Sequence, residues 1–244
     1  MRNIRLIIEY EGTNYHGWQS QINAVAVQDV LKNAIEELTG EDIQLIGSGR
    51  TDVGVHAFEQ VANFKTNSRI PEDKFSFAIN RLLPDDIVIK SSELAENDFH
   101  ARFSSKGKKY EYLIYNAKHP SALLKNRVWH ITSPLDFESM KDAARCFQGE
   151  HDFSAFKATG SSVKSSVRTI YASSLIKEND LIRFEIEGNG FLYNMVRIIA
   201  GTLAEVGMGR ISKDEVDGLI KGLDRRKTGR TAPPQGLYLK GVYY

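Results

Sequence analysis

Residues 47–57 read GSGRTDVGVHA and set one carboxylate, Asp52, and one guanidinium, Arg50, among three glycines. A carboxylate so presented can serve as a nucleophile, which splits one hard step into two easier ones. A free aspartate has a pKa of about 3.9 and is ionised by roughly a thousand to one at pH 7. Arg50 is therefore not needed to deprotonate Asp52 in water. In a dry site burial raises a carboxylate pKa, and a nearby cation counters that. A cation also fixes the orientation of the carboxylate. The ordinary role of an aspartate in such a turn is to hydrogen-bond its own backbone. The local sequence leaves both roles open. Glycines here allow positive φ and close approach of the backbone to another group, a ligand being one option.

The elements that must position this loop follow from periodicity. Asp42–Ile46 leads in as a short apolar approach. Ala57–Thr66 leads out with Phe58, Ala62 and Phe64 on one face of a period-2 pattern, so strand, loop, strand is expected. Arg2–Tyr10 reads as a strand. Val27, Val30, Leu31, Ala34, Ile35 and Leu38 repeat at helical spacing, with Gly40 as the stop. A helix from Pro71 buries Phe75, Ala78, Ile79 and Leu82, and Ile87–Lys90 is a strand. A second series starts with Gly107–Asn116, which puts Tyr110, Tyr112 and Ile114 on one face. Val128–Thr132 is extended, and a helix from Asp136 carries Met140, Ala144 and Phe147. The stretch 157–166 reads as a mobile surface loop. A hairpin turns at Glu178-Asn179-Asp180, and a helix spans about Phe191–Val206. Ser212 and Glu215 form a capping box, and Gly236–Tyr244 closes as a strand.

The element order of residues 1–90 roughly recurs in 107–244. The fold class expected is α+β, with two ferredoxin-like (split βαβ) halves, 1–104 and 105–244, related by a pseudo-two-fold. An antiparallel sheet would carry the helices and frame a central cleft. The halves do not match residue by residue, so the duplication is architectural.

Composition narrows the chemistry. The chain has 244 residues, 41% of them hydrophobic, enough for a sizeable core. The one cysteine, Cys146, excludes an internal disulfide and a Cys-based zinc cluster, and its neighbours suggest a plain core thiol. The first residues enter a strand pattern directly, and no apolar run approaches the ~18 residues of a membrane span, so a cytoplasmic protein without a membrane partner is expected. Net charge is +1, which does not announce nucleic acid, yet Lys106, Lys108 and Lys109 cluster, as do Arg225, Arg226, Lys227 and Arg230. The six histidines form no H-x-x-x-H pair, and there is no Walker loop or G-x-S-x-G elbow. The residues support a cofactor-free, metal-free site built on a carboxylate, arginines and tyrosines, without naming the reaction.

Seven stretches in order carry a resemblance: EYEGTNYHGWQSQ at 9–21, GSGRTDVGVHA at 47–57, FHARFSSKGKKYEY at 99–112, GEHDFSAF at 149–156, SSVRTI at 165–170, GNGFLYNMVR at 188–197, and GLYL with the last Tyr at 236–244. Together they resemble the TruA-type tRNA pseudouridine synthases. Glu11 stands where that family commonly has Asp. The resemblance implies isomerisation of uridine to pseudouridine at positions 38, 39 and 40 of the tRNA anticodon stem-loop, with no cofactor or metal, by a homodimer. It implies Asp52 as nucleophile and Tyr110 as the base-stacking residue and candidate general base. It implies Arg197 as the partner of Asp52, and Arg50 in base flipping or orientation. RNA contact falls to phosphate-binding cations. The candidates are Lys106, Lys108, Lys109, Lys157, Lys164, Arg168, Arg225, Arg226 and Arg230.

Two other readings compete. One is a non-catalytic RNA-binding module on the same scaffold; a synthase acting at other RNA positions is a variant of the main reading. The other is a glycosidase with Asp52 as nucleophile. That enzyme wants a second carboxylate as general acid, and none accompanies Asp52 in its motif.

Overall fold

A computed structural model describes residues 1–160, 163 and 165–244; Lys164 thus lies outside the described residues. The chain forms two compact units, Met1–Lys106 with Tyr238–Tyr244, and Gly107–Leu237. The class is α+β.

In the first unit, β1 (Arg2–Tyr10) lies between β3 (His56–Thr66) and β4 (Ile87–Ala95), antiparallel to both. A two-residue β2 (Ile46–Gly47) pairs antiparallel with β3 on its other side. The expected approach strand over 42–46 is thus mostly loop, although Ile43 and Leu45 are buried. The alternation of β1 buries Ile4, Leu6 and Ile8 fully. Helix α1 (Val27–Thr39) buries Val27, Leu31, Ala34 and Ile35 at the spacing expected, and Gly40 ends it in the left-handed conformation with φ 69°. Helix α2 (Phe75–Asn80) is shorter than its apolar pattern suggests; it buries Phe75 and Ile79, and Leu82 falls beyond its end and is exposed.

Two further features depart from sequence expectation. Phe58 does not share the buried face of Ala62 and Phe64. The pairing shifts between Ile8–Gln60 and Tyr10–Ala57, which gives β3 one extra residue and flips the alternation. The closing strand is β10 (Leu237–Tyr243). It runs parallel to β3, with Tyr238 opposite His56 and Leu239 opposite Ala57, so the sheet is mixed. Residues 238–244, assigned by sequence to the second half, pack within the first unit.

In the second unit, β5 (Gly107–Asn116) pairs with β9 (Leu181–Gly188). β9 pairs with β8 (Val167–Glu178), and β8 with β7 (Gly149–Asp152), all antiparallel. β6 (Trp129–Ile131) adds to β5 in parallel. Tyr110, Tyr112 and Ile114 are buried on one face of β5, as their alternation predicts. The hairpin turns where expected, with Asn179 at φ 54°. Helix α3 (Phe137–Arg145) is capped by Asp136, whose carboxylate accepts the Ser139 N–H; Met140, Ala143 and Ala144 face the core. Cys146 is only half-buried, and burial raises its thiol pKa. The capping box of Ser212 and Glu215 opens a turn leading into α5 (Val216–Gly222).

Helix α4 (Met195–Gly207) is apolar nearly all round. One side meets residues 229–232 at backbone distance, because a Cβ on Gly201 would sit 1.7 Å from the Arg230 carbonyl oxygen. The Thr202 hydroxyl accepts the Gly229 N–H at 3.0 Å. Gly201→Ala should therefore cost about 3 kcal/mol of stability in urea unfolding, since neither backbone can move away freely. Gly218→Ala in α5 meets nothing within 4 Å. It should be neutral or stabilise by up to about 1 kcal/mol.

Candidate active site

Asp52 sits in a loop gripped from below by the 12–18 segment. A Cβ on Gly12 would lie 2.0 Å from the Val55 carbonyl oxygen, and one on Gly17 would lie 2.3 Å from that of Thr51. Gly17 also has φ 81°, which favours glycine. The two backbones are therefore in direct contact. Their hydrogen bonds follow: Trp18 N–H to Thr51 O at 3.2 Å, and Gly54 N–H to Tyr15 O at 3.3 Å. Val55 N–H closes the turn on Asp52 O at 3.1 Å, with Gly54 at φ 74°. Asp52 itself is half-buried.

The glycines of the signature thus have several uses. Gly54 makes a turn. Gly47 leaves room for the Trp18 indole, since a Cβ there would fall 2.3 Å from its ring nitrogen. The space that sequence reasoning left open for a ligand is, at Gly47, filled by a buried side chain of the same unit.

His56 is a structural residue. It is 2% exposed, its Nδ1 accepts the Gly12 N–H at 2.9 Å, and its ring stacks on Tyr238 at 4.7 Å. Accepting at Nδ1 puts the proton of the neutral ring on Nε2. Phe58 stacks on the same tyrosine at 5.1 Å. Arg50 is exposed, and its Nε reaches Gln19 Oε1 at 3.4 Å.

In the second unit, Tyr110 is 8% exposed and meets Phe191 edge to face at 5.1 Å. Arg197 lies in the first turn of α4. That helix starts four residues later than its apolar pattern suggests, because Asn194 takes a left-handed conformation with φ 59°. A cation in a first turn opposes the helix dipole. Arg197 is held there all the same: its Nε donates to Ala232 O and its Nη1 to Asn194 Oδ1, both at 2.8 Å. These bonds set the plane of the guanidinium. Tyr112, one register step from Tyr110, donates to Pro233 O at 2.7 Å. Burial drives its pKa up, against the opposing positive charges of Arg197 and Arg230.

The candidate RNA-contacting cations divide by how they are engaged. Arg225 is a staple of its own loop, donating to Thr228 Oγ1 at 2.8 Å and to Gly229 O and Thr231 Oγ1 at 3.0 Å. Lys109 pairs with Glu185 at 2.7 Å, and Arg230 lies 4.9 Å over the Trp129 ring. Lys157 donates to Ser166 Oγ at 3.0 Å, and Arg168 to the Ser165 carbonyl at the same distance. Lys106 and Arg226 are exposed, and Lys108 is half-buried in β5. Among the described residues no group of three or more His, Cys, Asp or Glu could hold a metal ion, and no helix is long and apolar enough to cross a membrane.

What sequence reasoning missed is the support. Tyr10, Gly12, Gly17, Trp18 and Gln60 shape the Asp52 loop, and only the quoted 9–21 motif hinted at it. The signal was a second glycine-bearing motif with no chemistry of its own.

The family model for tRNA pseudouridine synthase matches residues 6–104 and 143–244. The chain belongs to the tRNA pseudouridine synthase family, whose members are isomerases. Within it, the chain is 62% identical over 244 residues to tRNA pseudouridine synthase A of Acetivibrio thermocellus, covering 100% of both chains. It is 60% identical over 245 residues to the protein of that name from Ruminiclostridium cellulolyticum, and 56% identical over 244 residues to that of a Thermoanaerobacter species, again with 100% coverage of both chains.

One exposed pair beside the candidate RNA contacts can be checked directly. Arg226 holds both oxygens of Asp224, Nε to Oδ1 at 3.0 Å and Nη2 to Oδ2 at 2.9 Å, and lowers its pKa to about 2. The contribution of a depressed carboxylate is present above its ordinary range and is lost as pH falls toward about 2. A carboxyl-detected NMR titration should find that midpoint. Arg226→Gln should return it toward about 3.9.

Proposed function

We propose that this enzyme isomerises uridine to pseudouridine at positions 38, 39 and 40 of the tRNA anticodon stem-loop. The observation that carries the reading is end-to-end identity, at 62%, to a relative named tRNA pseudouridine synthase A. In the reaction the N1–C1′ bond of uridine breaks and the uracil turns while still held. C5 then bonds to C1′, C5 loses its proton, and N1 gains one. Nothing is oxidised or reduced.

Asp52 is the nucleophile of this scheme. Its backbone is fixed on both sides by bonds to the 12–18 segment, and such preorganisation serves a group that must meet one atom. Tyr110 stacks on the target base and stands as the base for the last proton removal. Arg197 pairs with the Asp52 carboxylate, and its fixed guanidinium plane suits that role. Arg50, exposed beside the loop, helps the base out of its stack. Lys106, Lys108, Lys109, Arg168 and Arg226 supply phosphate contacts, and Arg225 supports the loop that carries Arg226. The strand order β4-β1-β3-β2 of the first unit is that of the split βαβ, ferredoxin-like motif. Two such halves related by a pseudo-two-fold, with a central cleft for RNA, complete the reading. The working form is a cytoplasmic homodimer.

The test uses tRNA carrying tritium at uracil C5. The native enzyme should release tritium without free uracil, and tRNA with cytidine at 38–40 should release none. Asp52→Asn should bind tRNA normally and lose release by at least about a thousandfold, the scale of a lost nucleophile. Substantial turnover in that variant would remove Asp52 from the chemistry. For the cations, Arg226→Gln should reduce the slope of log K against log salt by about one. An unchanged slope would place Arg226 outside the footprint.

A further inference from the structure

The residues before Asp52 contact groups that the family reaction scheme does not use. Directly before Asp52, the Gly49 carbonyl and the Thr51 hydroxyl meet buried polar side chains of the first unit. Their hub is Gln60, on β3, which is fully buried. Gln60 Nε2 donates to the Gly49 carbonyl at 3.1 Å. Its Oε1 accepts from the Ser48 hydroxyl at 2.6 Å and from the Val61 N–H at 3.2 Å. The amide orientation follows without ambiguity, because the nitrogen must face a carbonyl and the oxygen must face an N–H. The Tyr10 hydroxyl, buried beside this network, lies 2.8 Å from Thr51 Oγ1.

We propose that Gln60, with Tyr10, is a positioning residue for Asp52, fixing residues 49 and 51 so that the carboxylate between them and Gly54 is aimed rather than searching. This rests on the reading of Asp52 as nucleophile. Three observations carry it. Gln60 bonds backbone and side chain of the loop at once. It has no solvent contact that would explain an amide there. It also occupies the strand position where the register of β3 shifts, between the pairs Ile8–Gln60 and Tyr10–Ala57. A bulge re-aims side chains, and here it turns Gln60 toward the loop.

Gln60→Glu is the discriminating change, since it keeps size and shape but replaces one donor with an acceptor. A carboxylate oxygen would face the Gly49 carbonyl and repel it. A protonated carboxyl would restore the donor, and burial raises the pKa of such a group into an accessible range. The titratable side chain beside the network is Tyr10, and burial pushes its phenol upward, out of that range. Relative to the native enzyme at each pH, Gln60→Glu should lose about 100-fold in kcat at pH 8, with KM within threefold. The ratio should recover as pH falls toward 6. Tyr10→Phe removes only a hydroxyl and should lose about tenfold in kcat with unchanged tRNA binding; it stands in if Gln60→Glu does not fold. A packing role alone would move the unfolding midpoint and not this pH-dependent split. Native kcat in Tyr10→Phe, or a Gln60→Glu loss that is flat with pH or lies in KM, would overturn the proposal. Asp52→Asn is measured alongside: if it retains turnover the nucleophile reading fails, whatever Gln60 does.

Discussion

The site loop depends on one contact between two stretches of backbone. Segment 12–18 presses against residues 51–55 so closely that a methyl group at Gly12 or Gly17 would overlap a carbonyl oxygen. Contact at that distance lets the peptide groups of each segment satisfy the other. It spares the loop the orphaned polar groups that a buried irregular segment would otherwise carry. Everything around it is arranged to keep the two segments together. Trp18 fills the space over Gly47, His56 takes the Gly12 N–H, and Tyr238 covers His56. A loop held this way gives up conformational freedom at folding instead of at substrate binding.

The second unit solves a similar problem differently. There the constraint is electrostatic. Arg197 sits at the end of α4 where the helix dipole disfavours a cation. It stays because Ala232 O and Asn194 Oδ1 accept its donors. Ala232 is brought within reach because Gly201 and Gly229 allow residues 229–232 to lie on the helix backbone. A locally unfavourable residue with dedicated support is the pattern expected where function overrides stability.

Much of this was legible in the sequence, for identifiable reasons. The helix over Val27–Thr39, the strand Gly107–Asn116 and the hairpin at Asn179 follow from periodicity and turn chemistry, which act over a few residues. The loop around Asp52 was legible as a motif. What was not legible is mostly register and partner choice. The bulge that exposes Phe58 depends on the pairing of β3 with β1, and nothing in residues 56–66 announces it. The parallel docking of β10 on β3 joins residues far apart in the chain. The late start of α4 turns on the conformation of one residue, Asn194. Arg225 looked like a surface cation because sequence shows charge and not the three acceptors around it.

The parallel pairing of β10 with β3 has a consequence for synthesis. The ring of His56, four residues beyond Asp52, is stacked on by Tyr238, and Tyr244 donates to the Ala101 carbonyl. A ribosome must make the whole of the second unit before those side chains exist. The loop that carries Asp52 is translated early and completed late. A nascent chain therefore lacks the ring that covers His56 until Tyr238 is in place.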